Sequence, residues 1–509
     1  METMKTMETA MPQPRTLAPE LLALLGREFG ADLLTDAAAL SARSRDESGL
    51  VRPPVAVLLA RTEAQVARLV TLANAHNFAV IPRGAGTGLA GGCLPDAGNG
   101  LGGAAPSGVV LDLTAMNRII DIDTRSLTAT VEPGVLTGDL RAAVKAVGLF
   151  YPPDPASLAT STIGGNAATN AGGPACVKYG TTRDYVLGLR AVLPTGEAIR
   201  AGVNTRKGVV GYDLARLIVG SEGTLGVITE LTLKLLPHPK AAACVAAVFA
   251  DLNAAMRAII AVMTRGHLPS AMEFLDARCL HLVGDLLPFA VEGEDSALVL
   301  IETDGDPDQV RREVAEIEAI CRELGATNIL PAATSGSKEG DEAREAVWKV
   351  RRSVSTRIHE SCAVYIPEDI AVPIGRIADM VAALPGVEAR HGITIFAFGH
   401  AGDGNIHLNL TAPDESRRPF VEAAAEDCVR LALSLGGTIS GEHGIGLVKR
   451  GLVSLEIEPV SLRLQRGIKA LLDPHNVLNP GKIFPPAGPP DGNTGGPPDG
   501  DTGGPEETS

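Results

Sequence analysis

Phe78-Ala79-Val80-Ile81, followed by Pro82-Arg83-Gly84-Ala85-Gly86-Thr87-Gly88-Leu89-Ala90-Gly91-Gly92, is the stretch that sets the architecture. The four apolar residues read as a strand, and a glycine loop opens directly after it. The loop lacks the Lys-Ser/Thr ending of a P-loop, and no GxGxxG opens a helix behind the strand. Successive backbone N–H groups of such a loop still form a nest for a pyrophosphate, with Arg83 and Thr87 as further donors. Taken alone, the loop reads by default as a structural turn.

Two further segments change that balance. Residues 160–173 carry small and hydroxyl side chains without a bulky one, and they follow the rigid turn Pro152-Pro153-Asp154-Pro155. Such a stretch suits close approach of backbone to a flat, extended ligand. The third is Gly220-Ser221-Glu222-Gly223-Thr224-Leu225-Gly226-Val227-Ile228-Thr229. Three such segments in one region imply one large nucleotide-like ligand.

Around them the pattern is α/β. Residues 17–29 have helical apolar spacing. Strands are expected at 55–59, 78–81, 109–113, 118–123 and 128–132, and a glycine turn and strand close the region within 217–236. Thr62 with Gln65 reads as a capping box for a helix whose apolar face is Val66, Leu69, Val70 and Ala73. Thr137 opens a helix to 147. A second α/β segment starts near Ala241, with strands at 243–249, 297–302, 394–398 and 406–410 and helices at 309–324 and 418–435. Helices covering one face of an antiparallel sheet satisfy this order.

The second segment carries Gly399-His400-Ala401-Gly402-Asp403-Gly404-Asn405-Ile406-His407 and Gly441-Glu442-His443-Gly444. Alternation on either side of Asp403-Gly404-Asn405 predicts a hairpin, which sets His400 and His407 across from each other, about 5 Å apart. Two imidazoles and the Glu442 carboxylate make a three-ligand set with an open position, as in a catalytic Zn²⁺ site, and His443 stays free to move protons. Two structural histidines in a turn are the plainer reading of any lone pair. Three of the ten histidines lie in these two motifs, which favours function.

Composition bounds the rest. A chain of 509 residues supports two or three domains. Its net charge of −15 disfavours nucleic acid and direct binding to an anionic membrane. Seven scattered cysteines with no CxxC fit a reduced, cytosolic compartment and carry neither a zinc ribbon nor an iron–sulfur cluster. Residues 1–16 have no apolar signal core, and no run of 18 apolar residues suggests a membrane span. Residues 486–509 repeat a Pro-Pro-Asp-Gly unit and read as a disordered tail.

The loop at Arg83–Gly92, the 161–173 segment and Gly220–Thr229 resemble the FAD-binding domain of vanillyl-alcohol-oxidase-type flavoproteins. Gly399–His407, Gly441–Gly446 and Leu472-Asp473-Pro474-His475-Asn476-Val477-Leu478-Asn479-Pro480-Gly481-Lys482 resemble the C-terminal domain of the D-2-hydroxyacid dehydrogenase branch. That branch includes D-lactate dehydrogenase, the flavin subunit of glycolate oxidase and D-2-hydroxyglutarate dehydrogenase. The resemblance covers about residues 45–485 and implies an α+β fold. Its parts are a helical lead-in (1–50), a two-part FAD-binding domain (51–237), an antiparallel-sheet substrate and metal domain covered by helices (238–440), a segment returning to the flavin (441–485) and the tail.

The resemblance also assigns roles. The flavin pyrophosphate nest falls on Pro82, Arg83, Gly84, Ala85, Gly86, Thr87, Gly88, Gly91 and Gly92. Further FAD contacts fall on Pro153, Asp154, Gly164, Gly165, Asn166, Gly172, Glu222, Gly226, Ile228 and Asn479. A divalent metal (Zn²⁺ first, Mn²⁺ or Fe²⁺ as alternatives) falls on His400, His407 and Glu442, and the catalytic histidine on His443. Arg351 holds the substrate carboxylate, with Ser355 and Asn409 beside it. No histidine occurs from Pro82 to Cys93, so FAD is expected to be noncovalent. The lysine with which some relatives touch the substrate has no counterpart in Val364–Asp369. The implied activity is oxidation of a small D-2-hydroxy acid, D-lactate or glycolate, to the 2-oxo acid. The alternatives are D-2-hydroxyglutarate oxidation and a non-redox transferase like the alkyl-glycerone-phosphate synthases. Electrons are expected to leave to a separate acceptor: an iron–sulfur subunit, a cytochrome, an electron-transfer flavoprotein or a quinone pathway. The expected location is cytoplasmic or peripheral at a membrane through that acceptor, as a monomer or a homodimer.

Overall fold

The computed structural model describes residues 17–96, 108–288, 291–335 and 338–485. The expectations for residues 1–16 and for the 486–509 tail lie outside the described residues.

The first half of the chain holds two main sheets. Strands Ala56–Leu59, Gly108–Asp112 and Ala79–Arg83 lie side by side and parallel, with Leu33–Leu34 antiparallel at one edge. Parallel strands are covered on both faces, and Gly108–Asp112 is accordingly buried at every residue. The helix Glu63–His76 packs through Val66, Leu69, Val70 and Ala73. Thr62 caps it, its hydroxyl accepting the Gln65 N–H at 3.3 Å. The return bond of a capping box goes instead to Arg61, whose N–H donates to Gln65 Oε1 at 2.8 Å. The second sheet is antiparallel, in the order Ile119–Asp123, Thr128–Val131, Val227–Lys234, Val186–Val192, Ala198–Gly202. The pattern reading omits the last two strands. A register shift in their pairing and mixed burial blur the alternation on which it rests.

Residues 477–479 bridge onto the first sheet. Val80 donates its N–H to Val477 O, and Asn479 donates to Val80 O, both at 2.8 Å.

The second half is one seven-stranded antiparallel sheet. Its order is Ala326–Thr334, Ala241–Phe249, Ala297–Gly305, Ala271–Leu275, Thr394–His400, Asn405–Ala412, Val364–Ala371. Three of these strands are missing from the pattern reading. Pro331 and Pro367 look like breaks, but their strands are the two edges, where proline is tolerated. The third is short and carries Glu273 among apolar residues.

Strand alternation gives this sheet two unlike faces. Met272, Phe274, Ile395, Ala397, Ile406, Leu408 and Leu410 point to one side and pack under the helices Leu252–Thr264, Pro307–Glu323, Ile377–His391 and Arg418–Ser434. A buried phenylalanine such as Phe274 is worth about 3–5 kcal/mol against alanine. The opposite face is covered too, which corrects the one-face expectation. There Lys338–Glu360 and Ala277–Leu282 lie over Val248, Leu275, Leu298, Leu300 and Phe398. The residues of the site belong to this second face.

Candidate active site

A cleft between the halves is lined by Pro82 to Gly88, Gly92, Gly164, Gly165, Asn166, Gly172, Glu222, Gly226, Ile228, Glu442 and His443. The three glycine segments therefore meet around one space. They pack closely there: a Cβ on Gly84 would lie 2.4 Å from Thr162 Oγ1, and one on Gly164 2.4 Å from Pro133.

Several side chains of this group turn away from the cleft. The Arg83 guanidinium donates to Arg45 O at 2.8 Å and to Cys93 Sγ at 3.1 Å, so it braces the loop rather than reaching out as a free donor. Asn166 Nδ2 donates to Thr137 Oγ1 at 2.8 Å. The Glu222 carboxylate accepts the N–H groups of Ile445 and Gly446, both at 2.8 Å, and so ties the cleft to the second half. Gly91, Pro153, Asp154 and Asn479 stand behind the lining; Asp154 accepts the Ala175 N–H at 3.1 Å. Asn479 donates to Gly92 O and Glu222 O, while its buried Oδ1 has no partner among the described residues. That orphaned acceptor, at the edge of a glycine-walled cleft, fits a ligand N–H such as a flavin ring supplies.

His400 and His407 come together, although not directly opposite. The register sets His400 against Asn405 and Phe398 against His407, so the pair is diagonal. Their rings are perpendicular with centroids 5.0 Å apart. His400 Nε2, His407 Nε2 and Glu442 Oε1 are separated by 3.4, 3.6 and 3.7 Å. Donors about 2.0–2.2 Å from one tetrahedral ion stand roughly 3.3–3.6 Å apart, so the trio fits a divalent metal. His443 stacks on His407 at 5.7 Å and 13° and faces the cleft. Gly172 makes room for this group, since a Cβ there would lie 2.7 Å from Glu442 Oε2.

Two buried carboxylates orient the trio, and the sequence reading missed both. Glu273 Oε1 accepts from His400 Nδ1 at 2.5 Å, which leaves Nε2 as the free donor atom. Asp369 accepts Asn405 Nδ2, Ser440 Oγ and the backbone N–H groups of Glu442 and His443 at 2.7–3.0 Å. Three of those bonds fall on Oδ2 and one on Oδ1, so Asp369 is mainly engaged in holding the backbone, although with His407 and His443 it forms a second possible metal group. Burial opposes its charge, but His443, Lys449 and His407 hold its pKa well below the carboxylate range. Burial and then the His400 charge push His407 down to about 3. Burial works against ionised Glu442, yet His400 keeps it at about 2. His407 is thus neutral beside ionised Glu442, while, against burial, Glu273 raises His400 well above the usual imidazole range, so a divalent cation would bind with loss of that proton.

Arg351 reaches the same face from the helix above it. Its Nε donates to Glu273 Oε2 at 2.5 Å and its guanidinium lies 4.4 Å over the Phe398 ring. Its outer nitrogens have no partner among the described residues. Asn409 is nearby in the sheet: its Oδ1 accepts from Tyr365 OH at 2.6 Å, and its buried Nδ2 is unpartnered. Ser355 bonds Tyr365, which therefore stands between the two polar residues assigned to substrate.

Among the described residues no helix is long and apolar enough to cross a membrane. All seven cysteines are free.

Known proteins resemble this chain along most of its length. Residues 54–202 match the FAD binding domain, and residues 238–483 match the C-terminal domain of FAD linked oxidases. Glycolate oxidase subunit GlcD of Bacillus subtilis (strain 168) is 40% identical over 85% of this chain and 89% of its own. D-lactate dehydrogenase of Anaerostipes hadrus is 35% identical over 92% and 96%. Among solved structures, an alkyldihydroxyacetonephosphate synthase superposes with a TM-score of 0.71 at 20% identity, over 94% of this chain and 87% of that one, a likeness of fold. Helices, antiparallel sheets and a glycine-lined cleft in this order agree with those matches, and the chain belongs to the FAD-dependent D-2-hydroxyacid dehydrogenases within the vanillyl-alcohol-oxidase-type flavoproteins.

Proposed function

We propose that this protein oxidises a small D-2-hydroxy monocarboxylate, D-lactate or glycolate, to the 2-oxo acid. The observation that carries the reading is Arg351, whose Nε is held by Glu273 while its two outer nitrogens have no partner among the described residues, beside the His400, His407, Glu442 trio and the cleft. Nearby, Arg344 is bonded through both Nε and an outer nitrogen to Glu302, and Lys449 is paired with Glu368. A single open guanidinium suits one carboxylate, which favours a monoacid over 2-hydroxyglutarate.

Arg351 holds that carboxylate through a bidentate, charge-assisted pair. Asn409 Nδ2 donates to a substrate oxygen and stops rotation about the carboxylate axis. His443 takes the α-hydroxyl proton at a ring nitrogen. A divalent metal bound by His400, His407 and Glu442 supplies Lewis acidity that lowers the pKa of the hydroxyl. FAD, held noncovalently in the cleft, supplies the hydride acceptor. A separate protein or quinone acceptor then takes the electrons.

Anaerobic bleaching of the flavin across D- and L-2-hydroxy acids tests the reading. D-Lactate or glycolate should bleach it and D-2-hydroxyglutarate should not. Fast bleaching by the L-acids alone, or by 2-hydroxyglutarate best, overturns it.

A further inference from the structure

We propose that Glu273 is the positioning residue that couples the two working parts of the site, fixing the ligand face of His400 with one oxygen and the fork of Arg351 with the other. The inference rests on the roles proposed above for His400 and Arg351 and concerns how they are held in one frame.

Among the described residues, the Glu273 carboxylate has two hydrogen-bond partners, His400 and Arg351. It is fully buried, at 0% exposure. It faces His400 directly across two adjacent strands. Arg351 descends onto it from the helix above and stacks on Phe398, two residues before His400. Each carboxylate oxygen is 2.5 Å from one donor. Two oxygens are the essential point. An amide offers one acceptor oxygen and turns two N–H donors toward whichever partner it cannot serve. No neutral isostere can therefore hold both His400 Nδ1–H and Arg351 Nε–H.

The consequence is a shared register. A shift of the carboxylate toward His400 withdraws it from Arg351, so ion and substrate carboxylate are presented at a fixed separation. That separation decides whether an α-hydroxyl reaches the ion while its carboxylate sits in the fork.

Glu273→Gln tests this with two binding constants and no turnover. Zn²⁺ affinity is measured by competition with a chromophoric chelator. Pyruvate affinity is measured on metal-free, FAD-loaded protein from the perturbed flavin spectrum. Both should weaken by about tenfold or more, in the range seen when second-layer partners of metal ligands are lost. Glu302→Gln is the control. Glu302 pairs with Arg344 and Trp348 under the same helix, so a general packing effect would appear there as well. If Glu273→Gln does not fold, Glu273→Asp keeps the charge but loses the reach to serve both donors, and at least one constant should weaken tenfold. The proposal is overturned if Glu273→Gln leaves either constant within twofold of wild type, if Glu273→Asp leaves both there, or if Glu302→Gln weakens both equally. Wild-type protein that takes up no Zn²⁺ overturns the underlying reading of the trio and this proposal with it.

Discussion

The carboxylate of Asp369 receives the backbone N–H of His443 at 3.0 Å, and the same oxygen receives that of Glu442 at 2.9 Å. A proposed metal ligand and the proposed base are thus hung from one buried charge on a neighbouring strand. Asp369→Asn turns two N–H groups toward these donors. We expect metal affinity to fall about 10–100-fold with FAD retained. Elemental analysis and the flavin absorbance check this together; unchanged metal content after dialysis against chelator would sink it.

His443→Asn keeps size and polarity but removes the base. Flavin reduction by the substrate should slow by about 10²-fold or more, the range of general base catalysis. Stopped-flow reduction at saturating substrate reads this directly. A limiting rate equal to wild type would exclude His443 as the base.

Arg351→Lys keeps the charge and loses the planar fork, along with the Nε bond to Glu273. The substrate concentration for half-maximal reduction should rise at least tenfold, with a smaller change in limiting rate. The reverse split, a lost rate with unaltered half-saturation, would move Arg351 from binding to chemistry.

Lys482 gives a pH prediction outside the catalytic group. Its buried Nζ has no hydrogen-bond partner, and burial brings its pKa down to about 8, against the raising pull of Asp96, Cys93 and Glu222. An unfolded lysine titrates near 10.4. Between those values the unfolded chain binds the proton and the folded one does not, so this group makes stability rise with pH, by up to about 1.4 kcal/mol per pH unit. Lys482→Met should be more stable than wild type at pH 7, with the gap closing between pH 8 and 10. Denaturant unfolding across that range measures it, and a gap that does not change with pH would refute it.

The glycine segments and both histidine motifs were legible in the sequence because their meaning is local. Three glycine segments within one region predict a shared space that backbone can line, and Asp403-Gly404-Asn405 predicts a turn. Glu273 and Asp369 were not legible. Each is one acidic residue inside an apolar strand, and its role exists only once the strand's register sets it against His400 or His407. The diagonal placement of His400 and His407 has the same origin, since a hairpin motif predicts the turn but not which residues pair. Arg83 shows the opposite limit. The motif located it correctly at the loop, yet the fold uses its charge internally, on Arg45 and Cys93.

The link between Asn479 and Gly92 joins positions 387 residues apart, and the backbone bonds of Val80 with Val477 and Asn479 close a similar span. Contacts this distant must close a very long loop and form late in folding. On the ribosome, the nucleotide-binding half is made well before residues 477–479, which bond Val80 and Gly92. A chain stalled before those residues would carry the glycine loops without the ties that Asn479 makes behind them.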